Sequence, residues 1–165
     1  AAPLRLEQAL GLKSLCRLYG VPLVINDDVQ LARGMHADGV HLGERDGDPR
    51  QARKELGEQA LIGVSCYASI GRAQAAASRG ADYLAFGAFF SSPTKPHARH
   101  ADTRILREAR QFGLPLVAIG GIRPDNVPGL REAGADLIAV ISGLWDMPDP
   151  ARSARAYIDA FDNSH

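Results

Sequence analysis

Two aspartates each stand just beyond a short apolar run: Asp27 in "VINDD" and Asp46 in "HLGERD". Carboxylates at the ends of two neighbouring strands suit Mg2+, which keeps several waters and takes one or two carboxylates together with phosphate oxygens. The same residues have plainer uses, Asp27 as a helix cap and Asp28, Asp46 and Asp48 as solvated loop residues. A second cluster, "SSPTKPHARH" at 91–100, sets Lys95 beside the hydroxyls of Ser91, Ser92 and Thr94. Lysine is a point charge for a phosphate, and hydroxyls add donors. His97, Arg99 and His100 read as a solvated loop face. Gly120-Gly121 and Ser142-Gly143 form a third group, since glycine lets backbone N–H groups approach phosphate oxygens closely. His41, inside an apolar run, reads as a hydrogen-bonded core histidine rather than a catalytic one. Cys66 has no histidine clearly placed to activate it and is not read as a nucleophile.

These residues need elements to carry them. One phrase occurs three times: "HADGVHL" from His36, "GADYLAF" from Gly80 and "GADLIAV" from Gly134. Each follows a helical stretch and opens a short apolar run. A glycine at such a place suits the left-handed position that ends a helix, and the run after it suits a strand hidden on both faces. Helix, tight turn and buried strand in repetition predict an α/β protein with parallel strands. The pattern predicts strands at 23–26, 40–42, 61–65, 83–87, 116–120 and 137–141, and helices at 4–19, 29–35, 49–56, 70–78, 105–111, 126–132 and 151–161. Pro49 fits a first helical turn, and Asp125-Asn126 offers a helix N-cap. The architecture expected is most of a (β/α)8 barrel, with an open doubly wound sheet as the alternative. In a barrel, the residues that follow the strands share one rim, where the active site lies.

The 165 residues are 45% hydrophobic and 23% charged, with zero formal net charge and a pI near 7.2. One soluble globular domain is expected, at 1–165, with any anion affinity local rather than spread over the surface. Neither nucleic acid nor membrane is expected as a partner, and no run of about 18 apolar residues is present to span a bilayer. Cys16 and Cys66 form neither a metal pattern nor a disulfide framework, in keeping with reduced thiols and a cytoplasmic location.

Taken together, "PLVIND", "ADGVHLGERD", "IGVS", "GADYLAFGAFFSSPTK", "VAIGGIRPDN" and "AGADLIAVIS" resemble the thiamine-phosphate synthase family, in the family's order and over about 17–161. The resemblance implies a TIM (β/α)8 barrel and a transferase that joins hydroxymethylpyrimidine diphosphate to thiazole phosphate, giving thiamine phosphate and pyrophosphate. It implies that Asn26 and Ser65 help hold the pyrimidine diphosphate and that Lys95 binds its pyrophosphate, with Lys95 and Ser65 as the catalytic residues. It implies Mg2+ on Asp27 and Asp46. Ser92, Pro93 and Thr94 would lie along the thiazole phosphate side, and Gly121, Ile141 and Ser142 would bind that phosphate. Both substrates are small molecules, and a homo-oligomer is left open.

The chain departs from the family pattern in three ways. Nothing precedes the helix at Leu4, so the first two strands and an anion-binding segment of the Gln-x-Arg-x-Lys type are expected to be absent, leaving the barrel incomplete at its N-terminus and its activity in question. The family's "GQxD" reads "GERD", putting the charge of Glu44 near Asp46. The "PTxTK" loop reads "SSPTK", where Ser92 keeps a hydroxyl. Two alternatives stand beside the synthase. One is a thiazole tautomerase on the same scaffold, which uses a histidine where this chain has Tyr67. The other is a non-catalytic phosphate-binding remnant.

Overall fold

The computed structural model describes residues 2–91 and 100–162. Its elements alternate as the sequence pattern predicts: α1 (Ala2–Tyr19), β1 (Val24–Asn26), α2 (Val29–Gly34), β2 (Gly39–Leu42), α3 (Pro49–Leu56), β3 (Leu61–Tyr67), α4 (Ile70–Ser78), β4 (Tyr83–Phe86), α5 (Arg104–Ala109), β5 (Leu116–Ile119), α6 (Val127–Ala133), β6 (Leu137–Ala139), α7 (Ser142–Trp145) and α8 (Pro150–Asp162). Contacts divide them into two compact units. The first runs to Ser65 and includes Ala76–Asp82; the second holds Cys66–Ala75 and the chain from Tyr83 onward. In the first, β1 pairs with β2 and β2 with β3, all parallel. In the second, β4, β5 and β6 pair in parallel in that order.

The repeated phrase has one structural meaning at all three places. After α2, α4 and α6 the chain closes the helix with a six-to-one hydrogen bond: Ala37 N–H to the Ala32 carbonyl, Ala81 to Ala76, Ala135 to Leu130. That bond turns the chain through a left-handed residue, which is Gly80 (φ 85°) and Gly134 (φ 114°) in two copies and His36 (φ 50°) in the other. The aspartate two residues on then takes hold of a single residue at the start of the preceding strand. The Asp38 N–H donates to the Leu23 carbonyl while its carboxylate accepts from the Leu23 N–H at 2.7 Å. Asp82 does the same with Ile62, its carboxylate accepting at 2.6 Å, and Asp136 with Leu116 at 2.9 Å. Arg53 reinforces the second clamp, reaching the Asp82 carboxylate at 2.6 Å and capping carbonyls at the end of α3, including that of Ala60.

Inside each unit the strands meet helices through small and branched side chains. Val40, Leu42, Ile62 and Met35 pack with Ala32 and Ala52 in the first unit. Leu84, Phe86, Leu106, Leu116, Val127 and Leu130 are buried in the second. Each such large side chain contributes about 1.5–3 kcal/mol, while the alanines let helix backbones close on the sheet. Gly39 is glycine for the same reason: a Cβ there would overlap the Leu61 carbonyl on β3. No buried polar or charged residue occurs among the described residues. α1 is different, with Leu4, Leu10, Leu15 and Leu18 exposed and Ala9 buried. No helix among the described residues is long and apolar enough to cross a membrane.

The predicted elements are present, and their ends shift. Pro49–Leu56 and Ile70–Ser78 coincide with prediction, and β3 runs two residues further, to Tyr67. α7 was not foreseen, because four residues show no periodicity. The expected cap at Asp125-Asn126 does not form on α6. Asn126 accepts instead from the Arg123 N–H at 2.9 Å, in a 3-10 turn over Pro124–Asn126, and Asp125 pairs with Arg123. The cap of α2 is Asp28 rather than Asp27, since it is the Asp28 carboxylate that accepts from the Leu31 N–H.

Asp82→Ala removes the acceptor of the Ile62 N–H and the partner of Arg53 together. The expected loss is about 1–3 kcal/mol of folding stability, measured by urea unfolding; a loss within error of zero contradicts the clamp.

Candidate functional site

In the first unit, the residues beyond β1 and β2 converge. The Asp27 N–H donates to the His41 carbonyl at 2.8 Å, carrying the ladder one residue past β1. Asp27 then adopts a left-handed conformation (φ 68°), and the chain turns so that Asp28 faces back to cap α2. Asp28 also lies 3.5 Å from the Arg5 guanidinium. Asp46 closes its own turn, accepting from the Gly43 N–H at 2.8 Å. Asp27, Asp28, Asp46 and Asp48 line one cavity of about 600 Å3 with Gln51 and Glu55. Hydrogen bonds from Gln51 and Gln30 hold the Glu55 carboxyl below its usual range. Glu44 is exposed and is not among the lining residues.

On β2, His41 Nε2 lies 2.9 Å from Ser65 Oγ. The register explains the contact. His41 on β2 pairs with Gly63 on β3, which has no side chain, so the imidazole reaches along the same face to Ser65, two residues on. Burial pushes the His41 pKa below its ordinary value, partly opposed by the Asp46 carboxylate. His41 is thus a hydrogen-bonded histidine, as its apolar setting predicts, and its partner is a candidate site residue, which spacing did not suggest. Asn26, at the end of β1, is exposed.

The second unit holds the glycine loops. Gly120 and Gly121 both have positive φ (99° and 63°). A Cβ on Gly121 would sit 2.5 Å from the Phe90 and Ser91 carbonyls, so the loop after β4 lies directly on the Gly-Gly turn. The Phe90 N–H donates to the Gly120 carbonyl at 3.0 Å, fastening the two together. Backbone packing therefore requires these glycines whether or not a phosphate binds. Phe89 is buried. Ser91 and His100 are hydrogen-bonded at 3.1 Å and both are exposed; Ser92, Pro93, Thr94, Lys95, His97 and Arg99 lie outside the described residues. Ser142 and Gly143 open α7, whose first intrahelical donors are Leu144 and Trp145, so their own N–H groups belong to the first turn, which has no intrahelical acceptor for them. The Ile141 side chain is exposed.

Two further observations bear on chemistry. Cys66 is fully buried, and burial raises its thiol pKa to about 11, so it stays protonated at neutral pH. No group of three or more His, Cys, Asp or Glu able to hold a metal occurs among the described residues. A resident all-protein metal cage does not fit them. Asp27 and Asp46, two of the five carboxylates that line the cavity, do fit a cation that keeps most of its waters and shares a phosphate ligand.

Residues 1–144 match the family model described as thiamine monophosphate synthase. The chain is 56% identical over 160 residues to a thiamine-phosphate synthase of Xanthomonas campestris pv. campestris (strain 8004), covering 97% of this chain and 77% of that protein. It is 56% identical over 163 residues to one from Azoarcus sp. (strain BH72), covering 98% and 79%. Among solved structures, a thiamine phosphate pyrophosphorylase from Pyrococcus furiosus superposes with a TM-score of 0.90 at 30% identity, covering 99% of this chain and 79% of that one. The fold is of that TIM-barrel type.

Alkylation of the native protein at neutral pH is expected to modify Cys16, which is half-buried, and to spare Cys66 until denaturant is added. Peptide mapping that finds Cys66 modified as fast as Cys16 in the native state would contradict its burial and raised pKa.

Proposed function

The chain belongs to the thiamine monophosphate synthase family, and on that premise we propose how its residues divide the work. The protein condenses hydroxymethylpyrimidine diphosphate with thiazole phosphate, releasing pyrophosphate and forming thiamine phosphate. The bond between the pyrimidine methylene carbon and the diphosphate oxygen breaks, its electron pair leaving with pyrophosphate. The thiazole nitrogen then donates its lone pair to the methylene carbon. No proton is abstracted and no protein nucleophile is needed. What the protein supplies is charge opposite the leaving group and alignment of the acceptor.

The observation that carries this division is the convergence of Asp27 and Asp46 on one cavity. On this reading the pair holds Mg2+, which when bound supplies positive charge to the pyrophosphate oxygens. Asn26 and Ser65 hold the pyrimidine diphosphate, and His41 fixes the Ser65 hydroxyl. If Ser65 donates its proton to a phosphate oxygen, its oxygen accepts from His41, which assigns the imidazole proton to Nε2. Lys95 neutralises the departing pyrophosphate. Ser92, Pro93 and Thr94 line the acceptor side. Gly121, Ile141 and Ser142 take the thiazole phosphate on backbone N–H groups and the serine hydroxyl. The reading treats 1–165 as one barrel-type domain acting on small molecules in the cytoplasm.

Mixing both substrates with Mg2+ and measuring pyrophosphate release tests the reading; isomerisation of a thiazole phosphate without pyrophosphate release would favour a tautomerase instead. Lys95→Ala is expected to lower turnover about 100-fold or more while the affinity for thiazole phosphate changes little, because its charge faces the leaving group. Equal losses in both contradict its role. Asp27→Ala is expected to raise the Mg2+ concentration needed for half-maximal rate, and an unchanged titration removes it from the ligand set.

A further inference from the structure

The second unit contains a buried hydroxyl that none of the roles above uses. Tyr157 on α8 is 7% exposed, and its hydroxyl donates to the Ile122 carbonyl at 2.8 Å. The same oxygen occupies the space over Gly143, where a Cβ would overlap it. One phenol oxygen therefore touches both the loop that follows β5 and the loop that follows β6. The peptide joining Ile122 to Arg123 is held at both ends, its carbonyl by Tyr157 and its N–H by the Asn126 side chain at 2.9 Å. On the other side, Gly120 is pinned through its carbonyl to the Phe90 N–H. Gly121 lies between these two fixed peptides. Burial raises the Tyr157 pKa, which keeps the hydroxyl protonated and able to donate.

We propose that Tyr157 is the positioning residue of the thiazole phosphate site, setting the separation of the Gly120-Gly121 loop and the Ser142-Gly143 start of α7 through its contacts with Ile122 and Gly143. The inference rests on the assignment of those loops to thiazole phosphate. Backbone donors hold an anion well only when their directions are fixed beforehand, because a loop that must be ordered on binding gives up part of the interaction energy. Three of those four residues are glycine and offer no side chain of their own as an anchor.

Isothermal titration calorimetry with thiazole phosphate and, separately, with the pyrimidine diphosphate tests this. Tyr157→Phe keeps the ring and removes the hydroxyl. It is expected to weaken thiazole phosphate binding about 3- to 10-fold, the range of one lost hydrogen bond, and to leave the affinity for the pyrimidine diphosphate within about twofold. General loosening of the fold would weaken both. Gly143→Ala alone is expected to weaken thiazole phosphate binding because its methyl meets the Tyr157 hydroxyl. The double variant Gly143→Ala/Tyr157→Phe is expected to bind better than Gly143→Ala alone, since the overlapping atom is gone. An unchanged affinity in Tyr157→Phe, equal losses for the two substrates, or additive losses in the double variant overturn the proposal. If Gly143→Ala does not fold, the two titrations of Tyr157→Phe decide alone. Failure of the parent chain to bind thiazole phosphate overturns the loop assignment and this inference with it, whereas a parent that binds and a Tyr157→Phe that binds equally well overturns this inference only.

Discussion

The two-point clamp made by Asp38, Asp82 and Asp136 governs much of the rest. In each copy one aspartate offers an N–H and a carboxylate to the carbonyl and N–H of a single residue on the preceding strand. Such a pair admits one register. A slip of one residue in a strand would turn every side chain to the opposite face, so the clamp decides which residues reach the ends of the strands. It places Asn26 opposite His41, so that Asp27 follows at the strand end, and Leu137 opposite Val117, with Ser142 and Gly143 beyond. The left-handed residue two positions before each aspartate is what brings the carboxylate round to the strand, and that explains why turn, helix end and strand start recur as one phrase.

Chemical labour follows the same division. The first unit gathers carboxylates around a cavity and couples a histidine to a serine. The second presents backbone N–H groups in glycine turns. Neither contains a buried charge among the described residues, which spares the protein the large desolvation cost of an ion in its core. On the proposed assignment, charge enters with the substrates, and exposed and half-exposed side chains at strand ends suffice to meet a leaving pyrophosphate.

Glycine shows how one residue type carries two messages. Gly120-Gly121 suggests a phosphate loop from sequence, and Gly121 does face the root of the loop after β4. Yet its lack of a side chain is already required by the Phe90 and Ser91 carbonyls. Gly143 is required by the Tyr157 hydroxyl in the same way. Close packing and anion binding are compatible, since both ask for a backbone without a side chain in the way. Sequence pattern could not separate the two causes, because both select glycine.

Read alone, the sequence was sufficient for the alternation of helices and strands, for the helix-ending turn at Gly80 and Gly134, and for the polar residues that follow each strand. These are local properties: apolar runs, proline at a first turn and glycine at a left-handed position act over a few residues. It led to Asp27 and Asp46 as a pair through their positions after adjacent strands. It did not reveal that Asp28 rather than Asp27 caps α2, that His41 meets Ser65, or that Tyr157 bridges two glycine loops. The first turns on one backbone angle, φ 68° at Asp27, and the others join residues 24, 35 and 14 positions apart, the last across Gly143. Contacts of that kind come from strand register and helix docking, and only the tertiary structure supplies them.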